Sequence, residues 1–456
     1  MRYKFLFIFL FSTLWMQSFS NRLVGHEVYN LGSRSHAMGM SGLGLSESSG
    51  LIISNPARLA TFTKKYNLHI SIENNSTLER RSFTTLNSFD DFLTYSDYVA
   101  NLSSNNYINF GATAMQSLGS LSFGLGLHRQ TLYDLKYNYI EEVRGIIRLS
   151  DGVYGTGDPI VGQHVFTTSG EIQSTSIGGA VKTKLFNSLN MSLGLGISQL
   201  EGANLADLLN VQSFEESYDI PNCTSITDGA QYDCLITNTL ANVNNYDSSY
   251  TVDPAKFFTV SSLLSFKNYD FMLSYESEAE VYSAGYSNSA NYLPDSLLSG
   301  VFQYTTFDEV DEKKYLNYVL KGIDFYKPKI TRLGLIYSSL NPEITLSMEL
   351  ENRQHTRLKN ITIYKIGFEY VTLQKLPIRF GLVYKPSYFN AVAPTSIFTF
   401  GTRLSYGRFN VDLSGSYSLM TYSYPDFFPI QDEFRNDLDQ ITESRTSLRM
   451  SIEYGF

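Results

Sequence analysis

The sequence predicts an all-β protein: a transmembrane antiparallel β-barrel of about 14 strands with an N-terminal plug (hatch) segment. Three observations lead there. Segments alternating apolar with small or polar residues recur from residue 66 to the C terminus, their connectors run short, long, short, and no later segment is apolar enough for a spanning helix. The last segment is the clearest. Leu448, Met450, Ile452, Tyr454 and Phe456 share one face of a strand, and Ser447, Arg449, Ser451, Glu453 and Gly455 share the other, because successive strand side chains point to opposite sides. Such a strand needs apolar residues only at every second position, which reconciles a membrane protein with 17% charged residues and a mean hydropathy of -0.14.

The chain opens with Arg2 and Lys4, an apolar run from Phe5 to Trp15, and Ser18-Phe19-Ser20. This is the pattern of a signal peptide over residues 1–20, cleaved near Ser20; the apolar run is shorter than the ~20 residues of a spanning helix. Residues 21–65 contain helix-forming and glycine-rich pieces without strand rhythm, and a barrel of this size has room for them as a periplasmic-side plug.

Residues 66–456 carry the barrel. Strands are expected to begin near Tyr66, Asn106, Leu121, Ile172, Leu189, Phe257, Asp270, Lys329, Glu343, Ile361, Pro377, Ile397, Arg408 and Ser447. The alternation is sharpest in Leu189, Met191, Leu193, Leu195 and Ile197, and in Leu121, Phe123, Leu125 and Leu127. Tight turns fall near Ser117 to Gly119, Asn187, Asn268, Leu340 to Pro342, Gln374 and Gly407. Long connectors fall at Asn75 to Asn105, Gln130 to Glu171, Leu200 to Lys256, Ala279 to Pro328 and Tyr417 to Ser444, with medium ones at Arg353 to Lys359 and Pro386 to Ser396. That order puts the tight turns and both termini on the periplasmic side and the long loops outside. A β-sandwich would rarely sustain small and polar residues along one face of every strand. The only Trp lies in the leader, so Tyr337, Tyr370, Tyr384, Tyr406, Tyr417 and Tyr454, near strand ends, are the expected interface girdles.

Only two cysteines occur, Cys223 and Cys234, in one long connector; after export they are most simply a loop-stapling disulfide, with free thiols as the alternative. A net charge of -9 argues against a nucleic-acid partner. The six histidines are scattered without metal-ligand spacing, and no nucleophile elbow or phosphate loop occurs, so no enzyme activity, metal or cofactor is expected.

In the plug, Gly32-Ser33-Arg34-Ser35-His36-Ala37-Met38-Gly39-Met40-Ser41-Gly42 is followed by Ser54-Asn55-Pro56-Ala57-Arg58-Leu59-Ala60. This resembles the start of the FadL-type outer-membrane transport family, in which a small-residue run and an Asn-Pro-Ala signature precede a barrel of fourteen strands. The wording is closest to the PorV and PorQ branch. Acidic residues common before that signature are reduced here to Glu47. Asn55, Pro56 and Ala57 are expected to anchor the hatch, since Pro fixes its own φ and steers the preceding residue out of the helical region.

Inward-facing charges are expected at Arg332, Glu349, Glu351, Lys365, Glu369, Arg379, Lys385, Arg403, Asp412, Arg449 and Glu453, because a basic group facing mid-bilayer lipid costs ~2–4 kcal/mol. Their mixed signs predict a paired network that ties strands to plug. Gly124 and Gly126 either let the wall bend or make room for the plug. Two outer loops are unusually apolar at partly helical spacing: Leu205, Leu208, Leu209 and Phe214 in one, and Leu297, Val301 and Phe302 in the other. The resemblance implies a groove there for a hydrophobic ligand; mutual packing into a cap is the alternative. Arg353, His355, Arg357 and Lys359 form a surface hairpin that meets lipopolysaccharide phosphates or is simply solvated. The expected function is passive uptake of hydrophobic small molecules of the long-chain fatty acid or hydrocarbon type, by a monomer surrounded by outer-membrane lipid and lipopolysaccharide. The alternative is a PorV-like partner of a protein secretion complex.

Overall fold

The computed structural model describes residues 25–29, 31–89, 91–144, 148–149, 160–186, 188–213, 232–233, 246–281, 283–288, 325–356, 358–372, 375–389, 392–424 and 438–456. Fourteen antiparallel strands close into a barrel: β1 (Tyr66–Leu86), β2 (Phe92–Leu118), β3 (Leu121–Asp134), β4 (Ile160–Phe186), β5 (Leu189–Ser213), β6 (Ala255–Phe266), β7 (Tyr269–Glu276), β8 (Lys329–Leu340), β9 (Glu343–Gln354), β10 (Ile361–Val371), β11 (Pro377–Lys385), β12 (Thr395–Tyr406), β13 (Phe409–Tyr424) and β14 (Asp439–Gly455). Each pairs with its successor, and β14 returns to β1 from Asn67↔Gly455 to Ser82↔Gln440. Closure leaves no open edge, which a strand in hydrocarbon requires.

One end of the barrel has the tight turns. Leu118↔Leu121, Phe266↔Tyr269, Leu340↔Glu343 and Tyr406↔Phe409 are the last pairs before two-residue links. Gly119, Lys267, Lys375 and Gly407 take positive φ there, 51–63°, as such turns demand. The C terminus lies at this end, where Tyr66 and Phe456 exchange backbone hydrogen bonds of 2.9 Å. Their rings lie 5.4 Å apart, and Phe456 continues to Tyr454 and Phe409. The outer surface is apolar: Leu125, Leu195, Met348, Phe380 and Leu448 are exposed, with Tyr370, Tyr384, Tyr406 and Tyr417 along the strand ends. The alternate residues face the lumen and are buried there.

Several expected connectors are strand instead. The hairpin β1–β2 runs on to Leu86↔Phe92, replacing the loop expected at Asn75 to Asn105. β4 begins at Ile160 and pairs with β5 out to Gly162↔Ser213. Tyr137–Arg144 adds to β4, and Tyr246–Val252 adds to β5. β14 starts at Asp439 rather than Ser447. Beyond the bilayer neither face needs to be apolar, so stretches such as Asn74-Asn75-Ser76-Thr77 keep strand geometry without the alternation that marks it.

Replacing Leu195, half exposed at the middle of the lipid-facing row of β5, by Arg is expected to destabilise insertion by about 2–4 kcal/mol. Urea titration of the refolded barrel in vesicles measures this, with Leu195→Phe remaining near wild type.

Candidate functional site: the plugged lumen

The N-terminal segment enters the lumen as three short pieces: α1 (Ser33–Ala37), α2 (Leu51–Ser54) and a 3-10 turn over Pro56–Thr61. A short strand at His26–Glu27 adds to the outer end of β3. Asn55 is extended, with φ -151° and ψ 70°, and Pro56 opens the 3-10 turn, the placement that its locked φ and missing N–H allow. Asn55 Nδ2 donates to the Leu43 carbonyl at 3.1 Å, and the Ala57 amide donates to Ser261 Oγ of β6 at 2.8 Å. The sequence signature thus lies against the barrel wall.

Glycines set how close the wall comes. A Cβ on Gly194 would sit 2.2 Å from the Ala57 nitrogen, and one on Gly124 would sit 2.2 Å from the Leu59 carbonyl carbon. Gly124 therefore makes room for the plug. On the other side, a Cβ at Gly381 would lie 2.0 Å from the Gly39 nitrogen, and one at Gly367 would lie 2.5 Å from the Met38 oxygen.

Every inward charge named from the sequence faces the lumen. Arg332 pairs with Glu276 and, at 2.7 Å, with Glu351, and lies 3.7 Å from Glu349. Lys365 bridges Glu349 at 2.9 Å and Glu351 at 2.7 Å. Arg379 joins Glu369 to Asp412 at 2.5 Å each, Arg403 joins Asp412 at 2.6 Å to Glu453 at 3.2 Å, and Arg449 pairs with Glu73. The plug is part of this network. Arg34 binds Glu369 at 2.5 Å, Arg58 binds Asp270 at 2.6 Å, and Glu349 accepts from Ser41 Oγ at 3.0 Å and from the Gly42 amide at 2.6 Å. Sequence reasoning missed Glu27, Arg34, Arg58, Glu73, Asp270, Glu276 and Lys327. Strand parity alone marks Glu73 and Glu276 as inward; the plug residues have no periodicity to read.

Two expectations need correction. Arg353 is not on a surface hairpin: it continues the inward row Glu349, Glu351, Arg353 of β9, buried and paired with Glu27 at 2.6 Å and Glu351 at 2.5 Å. His355 is partly buried, 5.6 Å from the Tyr388 ring, and loss of solvent pulls its imidazole down to about 4, so it is neutral. Lys359 is exposed, and Arg357 lies outside the described residues. Second, Leu205, Leu208 and Leu209 are strand rather than helix. They lie on β5, with Thr167↔Leu208 and Phe166↔Leu209 in register, so Leu205 and Leu208 fall on opposite faces. Leu205 is buried in an apolar cluster with Ile53, Leu132, Ile172, Leu200 and Phe257 above the plug. Phe214, Leu297, Val301, Phe302, Cys223 and Cys234 lie outside the described residues.

Cavities of about 130 Å3 and 230 Å3 lie on the two sides of the plug. The outer, smaller one is lined by His26, Arg353, His355, Lys385, Tyr388, Phe389, Val392 and Arg445. Burial, and then Arg445, holds the His26 imidazole well below its ordinary value, while burial raises the Tyr388 phenol. Both are neutral, and the charged lining is Arg353, Lys385 and Arg445 with the carboxylates of Glu27 and Glu443. The inner cavity is lined by Arg34, Glu47, Arg58, Asp270 and Thr345. A larger groove of about 590 Å3 involves Ile378, Phe380, Phe400 and Leu448 of the exposed outer surface, and so belongs to the lipid-facing side.

A FadL homologue of Pseudomonas aeruginosa superposes over 95% of this chain and 100% of its own, with a TM-score of 0.56 at 11% identity. Its fold is that of the FadL-type channels. The Pseudomonas putida toluene transporter TodX covers 98% of this chain and 100% of its own (TM-score 0.53, 13% identity), and a TodX monoaromatic hydrocarbon channel mutant covers 93% and 98% (0.51, 12%). No protein-family model and no curated protein sequence matches the chain. At such identities the likeness carries the FadL-type fold, barrel and plug together, across nearly the whole length.

Glu349→Gln removes a carboxylate that Lys365 and the plug share, leaving buried cations undercompensated. The expected loss is about 3–5 kcal/mol, measured by urea unfolding in detergent. Gly381→Val is expected to keep the barrel closed but unseat the plug, which a rise in planar-bilayer conductance and unchanged heat-modifiable migration on gels would report.

Proposed function

We propose that this protein is an outer-membrane channel that admits hydrophobic small molecules passively, with residues 21–65 as the hatch that blocks a direct, open aqueous pore for solutes. The observation that carries this reading is the sequence of environments along the lumen: an outer cavity with an aromatic and aliphatic wall, an apolar cluster around Leu205 and Phe257, and a plug beneath. The neighbours of known structure support it, being a toluene transporter and a monoaromatic hydrocarbon channel. Nothing in these likenesses supports a PorV-like secretion partner.

Between hydrocarbon and fatty acid, the outer cavity favours an amphiphile with one negative charge. Arg353, Lys385 and Arg445 line it with Glu27 and Glu443, which leaves one surplus positive charge. The Lys385 ammonium, held down to about 8 by burial and so still charged at pH 7, has no side-chain hydrogen-bonded or ion-paired partner among the described residues. A carboxylate entering from the lipopolysaccharide layer meets that ammonium while its tail lies along Tyr388, Phe389 and Val392. It leaves past the hatch, which Asn55, Pro56 and Ala57 anchor, or sideways through the wall. Export by a leader ending near Ser20, and a monomeric state, complete the proposal.

Binding of a long-chain fatty acid and of toluene to the purified protein tests it. Lys385→Ala is expected to weaken fatty-acid binding about tenfold, the size of a charge-assisted hydrogen bond, while leaving toluene unaffected. Equal losses for both ligands would refute the carboxylate assignment, and binding of neither would refute the channel.

A further inference from the structure

The plug meets the wall in three ways around its circumference. Toward β6, β7 and β8 the contact is apolar with matched polar groups: Met38, Leu43 and Ala57 cluster with Leu263, Met272 and Ile336, and the Ala57 amide, the Ser54 carbonyl and Arg58 pair with Ser261, Ser274 and Asp270. Toward β10 and β11 it is plug backbone against Gly367 and Gly381, and toward β12 the Ala37 side chain against Gly401. Toward β13, β14, β1 and β2 it is polar and incompletely matched.

The register places Asn105, Asn75 and Ser447 in one lumen-facing row across β2, β1 and β14, with Tyr107, Glu73 and Arg449 in the next row and Asn109, Ser71 and Ser451 below. On this flank both amide atoms of Asn105, Asn75 Oδ1, Asn101 Nδ2, Ser71 Oγ, and Arg449 Nε and Nη1 have no hydrogen-bond partner among the described residues. Each of these residues is more than nine-tenths buried. The neighbouring plug and wall imidazoles add His36 Nε2 and His69 Nδ1. Buried polar atoms in folded proteins are nearly all hydrogen-bonded to protein or to ordered water, and an orphan costs ~1–3 kcal/mol. A row of them on one flank calls for water. The row has two ends. At the outer end the His26 imidazole lies within hydrogen-bond distance of the Asn75 side-chain amide, at 2.7 Å, and of Arg445, at 2.9 Å, on the rim of the outer cavity. At the inner end Asn67 donates to the Glu47 carbonyl at 2.5 Å, and Glu47 accepts from exposed Thr63.

We infer that this flank is a hydrated seam through which water and small ions pass while the plug stays seated. It is a path separate from the apolar one, and its polar walls exclude hydrophobic solutes. The structure supplies the asymmetry: among the described residues the polar groups of β6, β7 and β8 that face the plug are matched, at Ser261, Ser274 and Asp270, whereas on this side unmatched groups run from Asn101 to Ser71.

Planar-bilayer recording in potassium chloride tests this on the full-length protein. A small steady conductance is expected. It should persist when a disulfide between Ala57→Cys and Ser261→Cys pins the plug to β6, and fall several-fold when Ser71→Leu and Asn105→Leu fill the seam. Should the leucine pair fail to fold, as judged by heat-modifiable migration, Ser71→Ala with Asn105→Ala widens the seam, and conductance should rise. No conductance above bare lipid, conductance abolished by the disulfide, or conductance indifferent to the seam substitutions would each overturn the inference.

Discussion

The carboxylate of Glu349 is the interaction on which the interior depends. One oxygen receives Lys365 from the wall, and the other receives the Ser41 hydroxyl and the Gly42 amide from the plug. A carboxylate this deep is tolerated only when charge and hydrogen bonds compensate its lost hydration, and here the compensation is divided between two parts of the chain. Glu369 repeats the arrangement, shared by Arg34 of the plug and Arg379 of the wall. The wall's electrostatics are therefore complete only with the plug in place. The plug is a constituent of the barrel interior rather than a stopper added to it.

Shape follows the same division. A cylinder of fourteen strands has a wide lumen, and filling it with a segment of short helical pieces requires the wall to approach the plug backbone. Gly124 and Gly194 on one arc, and Gly367 and Gly381 on another, permit that approach. Since the lipid face of the same strands stays apolar, one strand can meet hydrocarbon at Phe380 and a plug backbone at Gly381. Period two makes both demands compatible.

That period is also why so much of the fold was legible. The strand beginnings at Tyr66, Leu121, Leu189, Lys329, Glu343, Ile361 and Pro377 coincide with those read from alternation, because each lies where one face touches acyl chains. Where strands leave the bilayer the contrast disappears, so the outer halves of β1, β2, β4 and β5 read as loops. The inward charges were legible for the converse reason: Arg332 or Arg379 has nowhere else to go. Arg353 was misread because its neighbours His355 and Lys359 suggested a solvated hairpin, although its parity with Glu349 and Glu351 already assigned it to the lumen. Leu205 and Leu208 were misread because leucine spacing three apart mimics a helix when alternation is no longer enforced by lipid. Of the plug, only the Asn-Pro turn announced itself; its partners Ser261 and Gly194 are far away in sequence, and local pattern holds no trace of such contacts.

Arg353 belongs both to the lining of the outer cavity and to the buried network. It binds Glu27 and Glu351; Glu351 binds Lys365; Lys365 binds Glu349; and Glu349 ends on the plug at Ser41 and Gly42. Because both faces of this guanidinium are already engaged by carboxylates, an incoming anion gains little from it without breaking a pair that is costly to break. Lys385 carries no such pair among the described residues, so on the proposed reading recognition of charge in the cavity falls to it, and a bound ligand would leave the network intact. Among the described residues, the plug is matched by protein least along the flank of β13, β14, β1 and β2, in contrast to its paired contact with β6, β7 and β8 and to the ion-paired arc at Glu349 and Glu369.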